Sequence, residues 1–456
     1  MKDDFDNTLL IKANYIARKH FGIKYLKPFQ TLVIQHILEQ EEENEIDSTL
    51  AILPTGGGKS LCFLIPALAV SGITIIVYPL LSLMHDQASI LDKNKIPYLL
   101  IKGGLNKYDT LNKLRNMRKT KIIITNVEML SLGYIINELK CLDISLLVVD
   151  EVHTILGWGK TFRPSYLKLK EINNSIKSKQ IIAFTATLSK SEITELSDCL
   201  FSSKPYIVFG GLNKENICYN YINSLFPLPD IITILKKENH LPAIVFTNSR
   251  AKTKIIADAI SSYYNTKYYH AGLDKTKRLE IEAWFKQSTD GVLVSTCAYG
   301  MGVDKNNIRT IIHYDLPQNP SSYIQEVGRS GRDLNPAFAY ALIKYKEDSP
   351  IKKIFTNKCI REELLKLMGF TLEDACLNCQ YCLKTTNTAF GYNEIMKIVK
   401  YFPFIASSNN IVFLLIHKFR KYKVKEQDII YALKYLESEK KIKLFLNHYI
   451  KLIDKL

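Results

Sequence analysis

A short apolar run that ends in a glycine-rich turn and then opens a helix leaves few folds available to the chain around it. Residues 50–53 lead into Pro54-Thr55-Gly56-Gly57-Gly58-Lys59-Ser60. Consecutive glycines let the backbone curl without Cβ clashes, so successive N–H groups can point at phosphate oxygens while the next helix begins beneath them. Lys59 would then reach the outer phosphates, and Ser60 would place its hydroxyl on Mg2+. The strict spacing G-x-x-x-x-G-K-[ST] is not met, because Leu53 holds the first glycine position. A turn of this kind needs a strand before it and a helix after it, and the chain supplies both in series. Strand-like runs recur at 50–53, 73–78, 121–125, 146–150 and 180–185, then again at 243–247, 267–270, 292–296 and 310–314. Helical stretches separate them, so the pattern is α/β with two tandem, mainly parallel sheets. Gly210 and Gly211 mark the expected hinge between a first domain, 1–210, and a second, 211–345.

The run 145–149, Ser-Leu-Leu-Val-Val, suits a strand buried on both faces. Asp150 and Glu151 follow it, at the carboxyl end where open α/β sheets bind ligands. Two adjacent carboxylates there can divide nucleotide hydrolysis, Asp150 holding Mg2+ and Glu151 polarising the attacking water. A lone acidic pair would read as a solvated loop start; the upstream glycine run selects the catalytic reading.

Across 456 residues, 61 Lys plus Arg against 45 Asp plus Glu give a net charge of +16, which favours a polyanionic partner. A general bias toward Lys is the competing explanation. No apolar run reaches the ~18 residues a membrane span needs, and the acidic start MKDDFDNTLL has no signal-peptide layout. A cytoplasmic location is expected, with the nucleoid as the address in a bacterium.

Nine cysteines with one late cluster point to a reducing compartment and to metal rather than disulfides. Cys359, Cys376, Cys379 and Cys382 have the spacing of a closed tetrahedral zinc site, with a helix near 360–368 bringing the first ligand from a distance. Residues 346–388 are read as this zinc-binding subdomain. The tail, 389–456, carries 13 Lys or Arg against 6 Asp or Glu. It combines an amphipathic helix at 428–436 with two strand-like runs, the pattern of a small winged helix.

Together these motifs resemble the RecQ-type DNA helicases of helicase superfamily 2 over roughly residues 15–385. The resemblance starts at Phe21-Gly22 and Pro28-Phe29-Gln30, where the family reads adenine; it implies that Gln30 contacts the base with Lys27 beside it, although Lys27 stands where Arg is usual. It continues through Pro79–Gln87 and Thr125-Asn126-Val127-Glu128, which imply grip on single-stranded DNA, and Thr185-Ala186-Thr187, which implies a link from hydrolysis to strand movement. The most family-specific stretch is 158–166, WGKTFRPSY, where Trp158 and Phe162 would stack on bases and Arg163 would meet phosphate. In the second half, Asn248-Ser249-Arg250 and His270-Ala271-Gly272 resemble nucleic-acid motifs. Gly300–Lys305 resembles the motif in which Gly302 and Asp304 approach the nucleotide's sugar.

Gln325-Glu326-Val327-Gly328-Arg329-Ser330-Gly331-Arg332-Asp333 implies an arginine finger, Arg332 with Arg329 beside it, delivered across a cleft between two RecA-like domains. The cysteine set follows the motor in such proteins too. The resemblance implies an ATP-dependent 3′ to 5′ DNA helicase of repair or recombination, using ATP, Mg2+ and Zn2+ on single-stranded and forked DNA. The alternative readings are a translocase that does not separate strands, an RNA helicase, and an inactive DNA-binding adaptor.

Overall fold

The computed structural model describes residues 2–43, 48–54, 56–104, 106–117, 120–158, 164–211, 214–237, 240–297, 299, 305–345, 347–372, 375–401, 408–422, 424–445 and 449–452. The chain forms two compact units: residues 1–213 with 368–370, and residues 214–367 with 371–456.

The first unit is built on seven parallel strands: β1 (Ser48–Ile52), β2 (Ile73–Val77), β3 (Tyr98–Leu100), β4 (Ile122–Thr125), β5 (Ile144–Val149), β6 (Gln180–Thr185) and β7 (Tyr206–Phe209). Their spatial order is β3-β4-β2-β5-β6-β1-β7. Every residue of β5 is buried, as a strand covered on both faces requires. The helix Lys59–Ala69 is nearly all apolar after its first turn and buries Cys62 through Ala67 in the same core as the helices Lys2–Phe21 and Pro28–Glu43. Each fully buried Ile, Leu or Phe there contributes about 1.5–3 kcal/mol.

The second unit has six parallel strands: β8 (Ile217–Asn223), β9 (Ala243–Phe246), β10 (Thr266–Tyr269), β11 (Val292–Ser295), β12 (Thr310–His313) and β13 (Ala337–Ile343), ordered β10-β11-β9-β12-β13-β8. An open edge at β8 would expose unpaired backbone groups. The cysteine segment covers it: Gln380 N–H donates to Tyr219 O at 2.8 Å, and Tyr221 N–H donates to Gln380 Oε1 at 2.9 Å.

The tail supplies helices Tyr392–Tyr401, Ser408–Lys418 and Glu426–Ser438, and an antiparallel hairpin of β14 (Ile442–Phe445) and β15 (Tyr449–Leu452). Ile395, Val399, Leu415, Phe419, Leu433 and Leu436 share one apolar cluster with Ile231 of the helix Pro227–Leu235 and with Val245 and Leu342 of the second sheet. The tail is therefore built onto that sheet's core. No helix among the described residues is long and apolar enough to cross a membrane.

The nine strands expected in the two domains and the two expected in the tail are all present. Four more were not anticipated. β3 (YLL) and β7 (YIVF) are apolar but only three and four residues long and largely unburied; β8 interleaves Asn and Tyr; and β13, AFAYALI, has the alanines of a helix former but is held as a strand by its two neighbours.

Candidate active site and metal centre

The glycine turn has the backbone that its sequence calls for. Gly56 and Gly58 take φ of 75° and 82°, the left-handed region, and Gly58 is the cap of the helix Lys59–Ala69, with Ser60 as its second residue. A Cβ on Gly57 would lie 2.8 Å from Pro54 O, and one on Gly58 would lie 2.6 Å from Gln30 Nε2. The turn is thus a cradle that side chains would fill, and it fits phosphate. Gln30 is buried against it: its Nε2 donates to Gly57 O at 2.9 Å and Gly58 O at 3.3 Å, and its Oε1 accepts from Lys27 N–H at 2.8 Å. The amide thereby joins the start of the helix Pro28–Glu43 to the phosphate loop. Thr55 lies outside the described residues.

The acid pair sits at the end of β5. Asp150 N–H donates to Val77 O at 3.0 Å, and its own Oδ1 accepts from Glu151 N–H at 2.9 Å. Burial pushes the Asp150 carboxyl up to about 6, with Lys59 pulling it down and Glu151 raising it. Glu151 takes φ of 49°, a conformation that costs a residue with a side chain energy and that recurs at functional sites. Its carboxylate meets Lys59 Nζ at 3.1 Å and His153 Nδ1 at 3.4 Å.

His153 Nδ1 also lies 3.2 Å from Thr185 Oγ1, so the acid pair touches the Thr185-Ala186-Thr187 motif through this imidazole. Sequence reasoning gave His153 no role; its place two residues after Glu151 was the available signal. Tyr78, also unassigned, is buried at the end of β2 and donates to Gln87 Oε1 at 3.0 Å, anchoring the helix Leu81–Lys93. Asn126 caps the helix Val127–Leu130 by accepting Met129 N–H at 3.0 Å. Trp158 ends the helix Thr154–Trp158, while its side chain, Phe162 and Arg163 lie outside what is described, as do Gly302 and Asp304 of the second unit.

In the second unit, Ser249 precedes the helix Arg250–Ile260, and the Arg250 guanidinium neighbours His270, whose imidazole is lowered by burial and by that charge. Asn248 is fixed by Asp315, which accepts from Asn248 N–H at 3.1 Å and from Thr247 Oγ1 at 2.5 Å. Burial alone would raise Asp315, but its bonds to Lys344 and Thr247 hold it at about 2. Arg329 and Arg332 are half-buried on the loop after the helix Pro320–Val327. That loop closes through Ser330 Oγ to Val327 O at 2.8 Å and through Gly331, whose φ of 58° again needs glycine.

The four clustered cysteines converge. Their Sγ atoms all lie within 4.8 Å of one another, with Cys359 and Cys379 4.0 Å apart. Sulfurs on a tetrahedral zinc are about 3.8 Å apart, so the set fits that ion with little movement. The Cys379 thiol is lowered because Cys376 and Cys382 donate to it. With all four positions taken by protein ligands, a zinc held here would be structural.

Two family models match the chain: DEAD/DEAH box helicase over residues 27–196 and helicase conserved C-terminal domain over 227–333. The "Probable ATP-dependent DNA helicase RecS" of Bacillus subtilis (strain 168) is 33% identical over 338 residues, spanning 73% of this chain and 67% of that protein. ATP-dependent DNA helicase RecQ of Pasteurella multocida (strain Pm70) is 29% identical over 391 residues, 78% of this chain and 62% of RecQ. The chain therefore spans about two thirds of the length of these relatives.

Among solved structures, the DEAD-box helicase Mss116 bound to ssRNA superposes with a TM-score of 0.62 at 20% identity, covering 94% of this chain and 88% of Mss116. The helicase MrfA bound to DNA gives 0.60 at 18%, covering 98% of this chain and 59% of MrfA. These two likenesses support the tandem RecA-like fold. At 33% identity over two thirds of RecS, with RecQ proteins at 28–29% beside it, the chain belongs to the RecQ-type family of superfamily 2 helicases.

Proposed function

We propose that this chain is an ATP-dependent DNA helicase that moves 3′ to 5′ along single-stranded DNA and separates duplexes, forks included, in DNA repair or recombination. The observation that carries this reading is the 3.1 Å pair of Lys59 and Glu151 beside buried Asp150, at a glycine loop, in a chain of the RecQ-type family.

In this reading a nucleotide's outer phosphates draw Lys59 away from Glu151. The freed carboxylate can then polarise water. Asp150 and Ser60 would hold Mg2+, which supplies charge neutralisation at the phosphates when bound. Thr55, Gly56, Gly57 and Gly58 wrap the phosphates, Gln30 and Lys27 face the base, and Gly302 and Asp304 face the sugar. Arg332, with Arg329, neutralises charge developing on the γ-phosphate. Trp158, Phe162, Arg163, Ser249 and Arg250 meet the strand. Cys359, Cys376, Cys379 and Cys382 would hold Zn2+ and stabilise the fold. Residues 389–456 act on duplex DNA as a winged helix, and the working location is the cytoplasm, or the nucleoid in a bacterium.

The test is unwinding of forked, 3′-tailed and 5′-tailed duplexes, DNA and RNA side by side, with Lys59→Ala as control. Forked and 3′-tailed DNA should open only with ATP and Mg2+. Equal opening of RNA, or ATP hydrolysis on DNA with no strand separation, would replace this reading with an RNA helicase or a translocase.

A further inference from the structure

Arg361, on the helix Ile360–Leu367, is only 2% exposed. Its NH2 donates to Lys214 O at 3.2 Å and Ile217 O at 2.7 Å, while Nε and NH1 meet no acceptor among the described residues. The guanidinium lies 5.3 Å above the ring of Tyr219, the residue whose backbone pairs with Cys379 of the cluster. A buried cation without an anion is costly. Four thiolates on one divalent ion carry a net double negative charge, the anion this guanidinium lacks.

A second link leaves the same cluster: Asn378, between two of the cysteines, donates through Nδ2 to Glu215 O at 2.7 Å. Both links land on residues 214–217, and the far side of that segment holds the arginine loop. Lys214 Nζ donates to Gly328 O at 2.6 Å, and Asn216 Nδ2 donates to Gly331 O and Asn335 O, each at 2.8 Å. Ala337 N–H returns a bond to Asn216 O at 2.9 Å. A Cβ on Gly331 would collide with Asn216 Nδ2, so this is a close fit.

We propose that residues 214–217 are a brace through which the zinc-loaded cysteine cluster fixes the loop carrying Arg329 and Arg332. Arg361 offsets the charge of the zinc thiolates, and Asn216 is a positioning residue for the arginines. The inference rests on the helicase reading above for its effect on turnover, and on the cysteine geometry alone for its metal half.

The experiment measures zinc per chain, zinc release to a chelator, and kcat and KM for ATP at saturating single-stranded DNA. Asn216→Ala, which touches neither cysteines nor arginines, should keep its zinc and its KM while kcat falls about 10- to 100-fold, the effect of misplacing a reacting group by ~1 Å. Arg361→Gln should release zinc about 10- to 100-fold faster, as loss of a group supporting metal ligands does, and Arg361→Lys should restore retention. Wild-type kcat in Asn216→Ala overturns the brace, and wild-type zinc release in Arg361→Gln overturns the charge role. If Asn216→Ala does not fold, Asn378→Ala reads the same link, and an unchanged kcat there is equally decisive. A wild-type chain with no DNA-dependent turnover sinks the helicase reading together with the arginine half of the brace, whereas zinc release still decides Arg361.

Discussion

At the ligand end of the first sheet, charges neutralise one another: Lys59 pairs with Glu151, Glu151 meets His153, and Asp150 sits buried behind them. In the second unit the chemistry-bearing groups are cations, Arg250 at the start of a helix and Arg329 and Arg332 on the loop that leads into β13. The first arrangement holds itself together by contacts from one motif to another. The second is held by residues outside any motif, Asn216 reaching Gly331 from 115 residues away and Lys214 reaching Gly328 from 114. The loop of Arg329 and Arg332 is thus set by bonds to its backbone from residues more than a hundred positions away.

The sharpest way to break this contrast is to remove one cation from each unit. Arg332→Ala should still bind ATP but hydrolyse it about 10³- to 10⁵-fold more slowly, the scale of an arginine finger. Lys59→Ala should lose ATP binding as well as turnover, because Lys59 belongs to the phosphate cradle itself. Nucleotide binding measured beside single-turnover hydrolysis separates the two outcomes. Normal turnover in Arg332→Ala would remove that arginine from the mechanism.

A smaller effect sharpens the comparison through two buried carboxyls. Burial lifts Asp150 to about 6 and Asp230 to about 7. Asp230 accepts from Ser224 Oγ at 2.5 Å and from Phe390 N–H at 2.6 Å, tying the tail to the second sheet. As the pH rises toward 7 the folded chain keeps a proton on Asp230 that the unfolded chain has already released. Stability from this group is therefore greatest at low pH and falls as the pH rises through about 7. Asp230→Asn should flatten that slope and stabilise the chain at pH 8 by about 1–3 kcal/mol, with hydrolysis intact. Asp150→Asn should abolish hydrolysis whatever it does to stability. Denaturation midpoints from pH 5.5 to 8 check the first, and parallel profiles for wild type and Asp230→Asn would show that the carboxyl is not protonated in the fold.

The same contrast explains what could be read from the sequence. Gly56–Ser60, Asp150 and Glu151 were legible because phosphate binding demands particular residue types at fixed local offsets, and the four cysteines because zinc does. Arg332 was legible as a motif, but its support was not: Asn216 and Lys214 are ordinary polar residues whose partners are backbone carbonyls, and carbonyls leave no mark in a sequence. Arg361 was hidden for a related reason, since nothing around Cys359 says that the adjacent helix buries a guanidinium. His153 stood in plain view beside Glu151, yet only its approach to Thr185 gives it a role. The tail's share in the second core was invisible because its apolar stripes would equally suit a free-standing module.

The account turns on a link between the nucleotide end of the first sheet and a nucleic-acid strand. Steady-state ATP hydrolysis by the purified chain, with and without single-stranded DNA, tests it directly, with Trp158→Ala alongside. The rate should rise several-fold with DNA in the wild type, and Trp158→Ala should lose most of that rise. Equal wild-type rates with and without DNA would contradict the account.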